Sequence, residues 1–367
     1  MPSPTKRIAV LTSGGDCAGL NAVIRSVVLK AATLNWEVVG IMDGAHGLIS
    51  RPPQTMALSP QNVDTVMMRQ GGTILGTTNK GDPFAWPMPD GSIKDLSQDM
   101  VDGFRTLKCD ALIGVGGDGS LNILQHLAKQ GNFPLIGIPK TIDNDVCLTE
   151  TSVGFDTAVM VATEALDRLQ PTAASHDRIM VLEVMGRDAG HIALHAGIAG
   201  GADVILIPEI PYDIQKVADH IKMIRHKGRN FALVVVSEAV RTQEGTKMMN
   251  ELYGGQKRLG GIGHVIGAQI ADLCQAETRV TVLGHVQRGG QPSAQDRLIA
   301  AAFGVHAVEL IKAGKLNRMV AWSNRMVIDV PLEDAVKNNQ QVEKHGSLIK
   351  TARGLGICLG DSVTSPS

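Results

Sequence analysis

Short apolar runs alternate along the chain with longer segments in which apolar residues recur every three or four positions. The short runs, bounded by Gly, Pro or polar residues, predict buried strands, and the longer segments predict helices that pack on a sheet. The predicted strands are residues 7–12, 38–42, 111–115, 133–138, 179–184, 204–207, 231–237 and 278–284. The predicted helices are residues 20–32, 121–130, 156–169, 214–227, 263–274 and 297–313, with a further helix that includes residues 191–195. This alternation predicts an α/β chain with two halves, each built on a doubly wound, mostly parallel sheet.

The segment that follows the strand at 133–138 carries the densest polar chemistry. Lys140 and Thr141 lie just past the end of the strand, after Pro139, and Asp143 and Asp145 follow them. Ligands of open α/β sheets bind at the carboxyl ends of strands. The two aspartates could act as a general base and a metal-linked anion, and Lys140 and Thr141 could hold a transferring phosphate. A polar turn is the alternative, because Asn and Asp favour turns.

Two other strands end in glycine-rich turns that lead into helices. Residues 13–19 (SGGDCAG) follow the first strand, and residues 116–120 (GGDGS) follow the strand at 111–115. Such turns direct backbone N–H groups towards an anion. Asp118 adds a carboxylate that can hold Mg²⁺ between phosphates, and Ser120 can cap its helix and touch a phosphate. An ordinary strand–helix turn remains the alternative for each of them.

Residues 70–81 form a long Gly/Thr segment that is too polar for the core. Its single cation is Lys80, next to Asn79, and both a solvent loop and a phosphate-contacting loop fit this composition. Residues 82–98 have no apolar period and are expected to form an exposed excursion.

The strand ends of the second half carry cations together with one His and one Glu. These residues are Met185, Gly186, Arg187, Glu238, His285 and Arg288. This set could bind a sugar phosphate, because Arg binds phosphate through two hydrogen bonds and Glu accepts hydrogen bonds from hydroxyl groups. Ordinary surface charge is the alternative for each residue taken singly.

The composition argues against several classes of protein. A length of 367 residues allows two domains, and a net charge of −1 provides no basic footprint for nucleic acid or anionic membrane. The five cysteines are scattered without CxxC spacing, which favours a reducing compartment. The first seven residues lack the apolar core of a signal peptide, and no run of 18 apolar residues is present. We therefore expect a cytoplasmic enzyme.

The motifs together resemble the 6-phosphofructokinase family, in family order from about residue 6 to 315. The resemblance is carried by SGGDCAG (13–19), GGDGS (116–120), PKTIDND (139–145), SHDR (175–178), MGR (185–187) and TRVTVLGHVQRGG (278–290). It implies a donor domain of residues 1–154 plus about 287–337 and a sugar-phosphate domain of residues 155–286 plus about 338–367. It also implies that the active site lies in the cleft between these domains.

The resemblance implies transfer of a phosphoryl group from ATP with Mg²⁺ to the 1-hydroxyl of fructose 6-phosphate, in glycolysis. Asp143 matches the base, Asp118 the Mg²⁺-linked carboxylate, and Thr141 and Arg187 the groups that steady the phosphoryl group. Donor contacts are matched by Gly15, Gly119 and Ser120, and the sugar-phosphate pocket by Met185, Gly186, Glu238, His285 and Arg288. Arg178 and Arg279 match arginines that reach into a neighbouring subunit, which implies a homodimer or homotetramer.

The residues that depart from the family pattern bear on which phosphoryl donor the chain uses. Gly119 goes with ATP in this family, whereas Lys140 is typical of the pyrophosphate-using branch. Asn79 stands in place of a donor-side Arg, with Lys80 available as its substitute. We predict ATP as the donor. The alternatives are pyrophosphate, a lipid or NAD kinase, which also contains GGDG, and a regulator that binds sugar phosphates without catalysis.

Overall fold

The computed structural model describes residues 5–78, 82–242, 245–251 and 257–362. Residue contacts divide the chain into two compact units. Unit 1 comprises Met1–Thr157 and Arg288–Asn339, and unit 2 comprises Ala158–Gln287 and Gln340–Ser367. None of the helices in the described part of the chain is both long enough and apolar enough to cross a membrane.

The strands confirm the predicted α/β pattern and add several short ones. In chain order the described strands are β1 (Arg7–Thr12), β2 (Glu37–Ile41), β3 (Thr55–Leu58), β4 (Trp86–Pro87), β5 (Ile93–Lys94), β6 (Ala111–Gly116), β7 (Leu135–Pro139), β8 (Ile179–Val184), β9 (Val204–Leu206), β10 (Ala232–Ser237), β11 (Met249–Glu251), β12 (Lys257–Leu259), β13 (Thr278–Val282), β14 (Arg318–Ser323) and β15 (Met326–Pro331).

The described helices are α1 (Leu20–Ala32), α2 (Ser97–Thr106), α3 (Asp118–Gly131), α4 (Phe155–Ser175), α5 (His191–Ala199), α6 (Ile214–His226), α7 (Ile262–Cys274), α8 (Ala294–Lys312), α9 (Leu332–Ala335) and α10 (Ser347–Gly354). Short 3₁₀ helices span Gly44–Leu48, Pro60–Asn62, Met67–Arg69 and Gly284–Arg288.

Within its described residues, unit 1 contains a seven-stranded sheet in the order β15-β14-β7-β6-β1-β2-β3. The pairs from β14 to β2 are parallel, and β3 and β15 pair antiparallel at the two edges. The chain moves from β1 to β2 in one direction and from β6 to β7 in the other. The strand order therefore reverses between β1 and β6, which is where open α/β sheets bind ligands.

Helices cover both faces of this sheet because the side chains of each strand alternate between the faces. On one face Ala9 and Leu11 of β1 belong to a core formed with α2, α3 and α9. On the other face α1 and α8 pack together, with the Ser26 hydroxyl donating to the Ala300 carbonyl at 3.1 Å. The sheet is thus doubly wound, as predicted.

Unit 2 contains a four-stranded parallel sheet in the order β13-β8-β10-β9 among the residues described. Its core on one face combines Ile179 and Val181 of β8 with apolar residues of α6 and α7. On the other face α5 contacts β9 and β10 so closely that a Cβ at Gly197 would lie 2.5 Å from Ile205. Among the described strands, β13 pairs only with β8 and so forms an edge of this sheet.

The predicted elements differ from the structure mainly at their ends. The helix predicted at 121–130 begins at Asp118, because the GGDGS turn itself provides the first helical turn. The strand predicted to reach residue 284 ends at Val282, and a 3₁₀ helix begins at Gly284. The strands β3, β14 and β15 and the helices α2, α9 and α10 were not predicted from the sequence pattern.

The expectation of an exposed excursion at residues 82–98 is wrong in part. This segment includes the short antiparallel pair β4–β5, and α2 begins at Ser97. Phe84 and Trp86 pack against the unit 1 core, and the Trp86 ring stacks on His46 with ring centroids 5.4 Å apart. Two isolated aromatic residues give no period in the sequence, so tertiary burial alone reveals their role.

One buried carboxylate fixes the start of α4 against α8. Asp296 is 1% exposed and accepts hydrogen bonds from the Gly154 N–H, the Thr157 N–H and the Thr157 hydroxyl. Burial raises the pKa of Asp296, and these hydrogen bonds counteract the rise because they stabilise the charged form. The Asp296 carboxylate is satisfied within the chain, which makes it a structural group.

Candidate active site

Three neighbouring strand ends of unit 1 carry the polar segments singled out in the sequence. The strands β7, β6 and β1 are adjacent and parallel, and their pairing brings Thr12 opposite Val115 and Gly116 opposite Pro139. The segments that follow these strands are therefore neighbours at one edge of the sheet. We call the first of them, residues 13–19 after β1, the donor loop.

The donor loop lies against the other two segments. The Ser13 N–H donates to the Val115 carbonyl at 2.9 Å, and the Gly14 N–H donates to the Thr78 carbonyl at 3.0 Å. Gly14 has φ +85°, and a Cβ at this residue would lie 2.8 Å from Ser120 Oγ. Only glycine combines this backbone conformation with so close an approach.

The GGDGS segment forms the first turn of α3. Asp118 is the first residue of the helix, where a carboxylate is favoured by the partial positive charge of the helix N-terminus. Gly119 is exposed, and, apart from Gly119 itself, its chain neighbours and the backbone of its own helix, no described heavy atom lies within 4 Å of the position that its Cβ would occupy. This turn therefore leaves open space beside a set of backbone N–H groups.

The segment after β7 buries both of its aspartates. Asp143 is 8% exposed and Asp145 is 5% exposed. Between them Asn144 has φ +52°, and its side chain accepts from the Ser152 N–H at 2.9 Å and donates to the Glu150 carbonyl at 3.1 Å. The Asp143 N–H donates to Thr141 Oγ1 at 3.1 Å. The Asn144 contacts thus hold the turn that carries both carboxylates.

The three carboxylates of this edge influence one another. Burial, and after it the charges of Asp143 and Asp118, raise the pKa of Asp145 to about 7. Asp145 Oδ1 is buried, and it accepts no hydrogen bond from the residues that the structure describes. A buried carboxylate oxygen in this state favours a cation or a proton donor as its partner.

The ammonium group of Lys140 faces the donor loop. Lys140 is 3% exposed, and its Nζ donates to the Ser13 carbonyl at 2.9 Å and to the Gly15 carbonyl at 2.5 Å. Arg288, which the sequence assigned to the sugar-phosphate pocket, lies in unit 1 and donates from Nη1 to the Asp16 carbonyl at 3.0 Å. No local pattern in the sequence indicates these contacts, because each of them joins distant segments.

The strand ends of unit 2 bring together part of the predicted sugar-phosphate set. The Gly186 N–H donates to Glu238 Oε1 at 3.4 Å, and the Met185 N–H donates to Gln287 Oε1 at 2.7 Å. Gly186 has φ +149°, and a Cβ there would lie 2.7 Å from the Ala189 carbonyl oxygen. Gln287 is 1% exposed and was missed by the sequence analysis, although it stands within the HVQRGG motif.

Arg187 and His285 are exposed residues of unit 2. The Arg187 guanidinium lies 3.7 Å from the Asp188 carboxylate, and 82% of its side chain is exposed. His285 belongs to the 3₁₀ helix that follows β13. Asn79 and Lys80 lie outside the described residues.

Two arginines share one carboxylate at the β13 edge of unit 2. Arg178 Nη2 lies 3.0 Å from Glu277 Oε1, and Arg279 Nη2 pairs with the same oxygen. A hydrogen bond from Arg178 is the main cause that lowers the pKa of Glu277. Both arginines are predicted from the sequence motifs, whereas Glu277, which pairs with both, is not.

The chain is similar to known proteins over nearly its whole length. The family model described as Phosphofructokinase matches residues 7–311. A protein of Synechocystis sp. named ATP-dependent 6-phosphofructokinase 1 is 61% identical over 97% of this chain and 99% of its own length. A protein of Nostoc sp. with the same name is 60% identical over 98% of this chain and 100% of its own length.

Two solved structures share the fold of this chain. Phosphofructokinase from Pichia pastoris in the T-state is 29% identical with a TM-score of 0.79, over 91% of this chain and 36% of that chain. The chain thus spans about a third of the Pichia protein. A pyrophosphate-dependent phosphofructokinase from Nitrosospira multiformis has a TM-score of 0.78 over 97% of this chain and 93% of that chain. Its identity of 21% shows a shared fold alone.

The raised pKa of Asp145 predicts a pH-dependent stability. The folded chain keeps the Asp145 proton up to about pH 7, whereas the unfolded chain loses it near the ordinary aspartate pKa of 3.8. Between these pH values the folded state binds more protons, so the free energy of unfolding should fall as pH rises. We expect a fall of order 1–2 kcal/mol between pH 5 and 7.5 in urea unfolding with EDTA.

Asp145→Asn should remove most of this fall, and the exposed control Asp102→Asn should retain it. Equal pH dependence in wild type and Asp145→Asn would contradict the assignment.

Proposed function

The chain belongs to the phosphofructokinase family, and we propose that it transfers the γ-phosphoryl group of ATP to the 1-hydroxyl of fructose 6-phosphate. The products are fructose 1,6-bisphosphate and ADP. The observation that carries the proposal is the convergence of Asp118, Asp143 and Asp145 beside two glycine turns at one sheet edge. Phosphoryl transfer needs this combination of positioning, charge neutralisation and one base.

Asp143 is proposed as the general base. It accepts the proton of the sugar 1-hydroxyl while that oxygen forms its bond to the γ-phosphorus, and the bond to the bridging oxygen of ADP breaks. Burial of Asp143 supports the role, because a base shielded from water acts on the bound hydroxyl rather than on solvent. Thr141 and Arg187 are proposed to steady the phosphoryl group during transfer.

Mg²⁺ is the proposed cofactor, and the residues present fit it. Asp118 would hold the ion, and the buried Asp145 Oδ1 adds a carboxylate oxygen that accepts no hydrogen bond from described residues. No three His, Cys, Asp or Glu side chains form a ready-made metal site in the described ranges, which suits an ion completed by phosphate and water oxygens. When bound, Mg²⁺ supplies neutralisation of charge on the β- and γ-phosphates.

The phosphate chain of ATP is proposed to lie along the donor loop and the α3 N-terminus. Gly15, Gly119 and Ser120 contribute contacts there, because both segments present backbone N–H groups to an anion. The open space at Gly119 supports a nucleoside triphosphate, since an α-phosphate needs room that pyrophosphate does not use. Asn79 and Lys80 are also proposed on the donor side.

The sugar phosphate is proposed to bind through residues of unit 2. Glu238 accepts from sugar hydroxyls, and the backbone at Met185 and Gly186 is held by Gln287 and Glu238 for this contact. His285 and Arg288 complete the proposed set, although Arg288 also donates to the donor loop.

The active site is proposed to be shared between identical subunits in a homodimer or homotetramer. Arg178 and Arg279 would bind the 6-phosphate held by a neighbouring chain. Their position supports this role, because β13 is an open edge of the sheet and apolar Val282 and Val286 are 45% and 66% exposed beside it. Exposed apolar residues grouped with an open strand edge are typical of protein interfaces.

The role of Asp143 predicts a selective loss of turnover. Asp143→Ser should lower kcat by roughly 10²–10⁴-fold, the usual contribution of a general base. KM for fructose 6-phosphate should change much less, because the other sugar contacts remain. A coupled assay for fructose 1,6-bisphosphate measures both quantities, with Asp99→Ser on the exposed face of α2 as the control. Wild-type turnover in Asp143→Ser would refute the assignment.

The space at Gly119 predicts the donor. An aspartate there would repel the phosphate chain by about 4 kcal/mol before screening, taking a separation of about 4 Å and an effective dielectric of about 20. Even a third of this energy is about tenfold in binding. We expect Gly119→Asp to lower kcat/KM for ATP at least tenfold, and Gly119→Asn, of equal size without the charge, to lower it much less. Wild-type kcat/KM that is higher with pyrophosphate than with ATP would overturn the proposed donor.

Sharing between subunits predicts complementation. Arg279→Ala should bind fructose 6-phosphate weakly, and Asp143→Ser should be inactive. In mixed oligomers some sites combine a wild-type Asp143 with a wild-type Arg279 from the other chain, roughly a quarter of all sites in a randomly mixed dimer. Differently tagged chains allow hybrids to be purified and assayed at low substrate. Purified hybrids with no recovery would place both residues in the site of one chain.

A further inference from the structure

The ammonium group of Lys140 donates hydrogen bonds to backbone carbonyls of the donor loop. Its side chain is 3% exposed, which is unusual for lysine, and its Nζ donates to the carbonyls of Ser13 and Gly15 at 2.9 and 2.5 Å. A buried ammonium is tolerated only where its donors are satisfied. Burial lowers the pKa of Lys140, so these two hydrogen bonds help to keep the group charged.

These hydrogen bonds determine how the loop presents its amides. A trans peptide group is planar, so the Gly15 carbonyl that faces Lys140 turns the N–H of Asp16 to the opposite side. The loop backbone passes close to the ammonium, since a Cβ at Gly14 would lie 3.4 Å from Lys140 Nζ. Carbonyls held on one side and N–H groups on the other form a concave anion site.

A second cation supports the same arrangement. Arg288 Nη1 donates to the Asp16 carbonyl at 3.0 Å, and a Cβ at Gly15 would lie 2.7 Å from that nitrogen. Lys140 and Arg288 together therefore bind the carbonyls of Ser13, Gly15 and Asp16. Without Lys140, two of these carbonyls would lose a charged hydrogen-bond donor.

We propose that Lys140 is a positioning residue, whose ammonium fixes the donor loop in the conformation that binds the donor phosphates and does not itself contact the transferred phosphoryl group. The identity of the donor rests on the proposed function. The fixed loop conformation is a property of the chain without nucleotide, and it is tested separately.

Hydrogen–deuterium exchange without nucleotide tests the loop directly. Lys140→Met keeps the length and volume of the side chain and removes the ammonium. Amides of residues 13–17 should exchange about tenfold or more faster in Lys140→Met than in wild type, because local opening becomes easier. Lys129→Met, at an exposed lysine of α3 in the same unit, should leave this exchange unchanged. Unchanged exchange of residues 13–17 in Lys140→Met would overturn the proposal.

Binding of nucleotides separates loop fixing from direct contact with the γ-phosphate. Loop fixing predicts that Lys140→Met weakens ADP and ATP by similar factors, about tenfold each, with KM for fructose 6-phosphate within about threefold of wild type. Loss of ATP affinity with unchanged ADP affinity would instead indicate contact with the γ-phosphate and would refute the proposal. Titration calorimetry measures both ligands.

Amine rescue keeps the test available if Lys140→Met does not fold. Lys140→Ala leaves space for a small primary amine, and propylamine should restore slow exchange at residues 13–17. Wild-type protein, in which the Lys140 side chain already fills the space, should not respond. Absence of rescue in folded Lys140→Ala would count against the proposal. Failure of the proposed function would appear differently, as wild-type protein without activity on fructose 6-phosphate and ATP but with the same exchange results.

Discussion

The parallel pairing of β1, β6 and β7 is the constraint on which the candidate site depends. Its register places Thr12 opposite Val115 and Gly116 opposite Pro139, so three polar segments start at one level of the sheet. The order in which the chain adds strands to the sheet reverses between β1 and β6. This reversal leaves a space between helices on opposite faces. A shift of one residue in this register would turn each strand's side chains to the other face and would separate the segments. The hydrophobic core on both faces therefore also fixes the geometry of the polar edge.

Burial of charge follows from that arrangement, and the partners of each buried group indicate its role. Asp296 and Asp145 are both nearly inaccessible to solvent, and burial raises the pKa of both. Asp296 accepts hydrogen bonds from Gly154 and Thr157, and its function is to join two helix starts. Asp145 faces two further carboxylates and keeps one oxygen without a hydrogen bond from the described residues. The first group is complete within the chain, whereas the second favours a cation or a proton donor as its partner. Lys140 shares one feature with each of these groups. Like Asp296 it is satisfied within the chain, because backbone carbonyls accept its hydrogen bonds, and like Asp145 it belongs to the candidate site.

Unit 2 also carries polar groups at the ends of its parallel strands, but these groups differ from those of unit 1. Its buried parallel strands end in backbone N–H groups held by Glu238 and Gln287, and its exposed edge carries two arginines on Glu277. One carboxylate thus holds two guanidinium groups close together, and phosphate accepts the same forked hydrogen bonds as a carboxylate. Val282 and Val286, the exposed apolar residues beside this edge, lie next to the arginines for which a phosphate contact is proposed.

The sequence by itself determined the α/β class, the parallel strands and the family, because buried strands and the glycine turns after them are local patterns. The prediction that the chain resembles phosphofructokinases is confirmed by the family match. The proposed roles of Asp118, Asp143 and Gly119 also came from motifs whose spacing is local. Only the tertiary structure decided which groups meet across long separations in the chain. Lys140 and the donor loop are 125 residues apart, and Arg288 is 272 residues from the Asp16 carbonyl. It also decided the antiparallel edge strands and the burial of Phe84 and Trp86, since these depend on which surfaces remain to be covered after the core has formed.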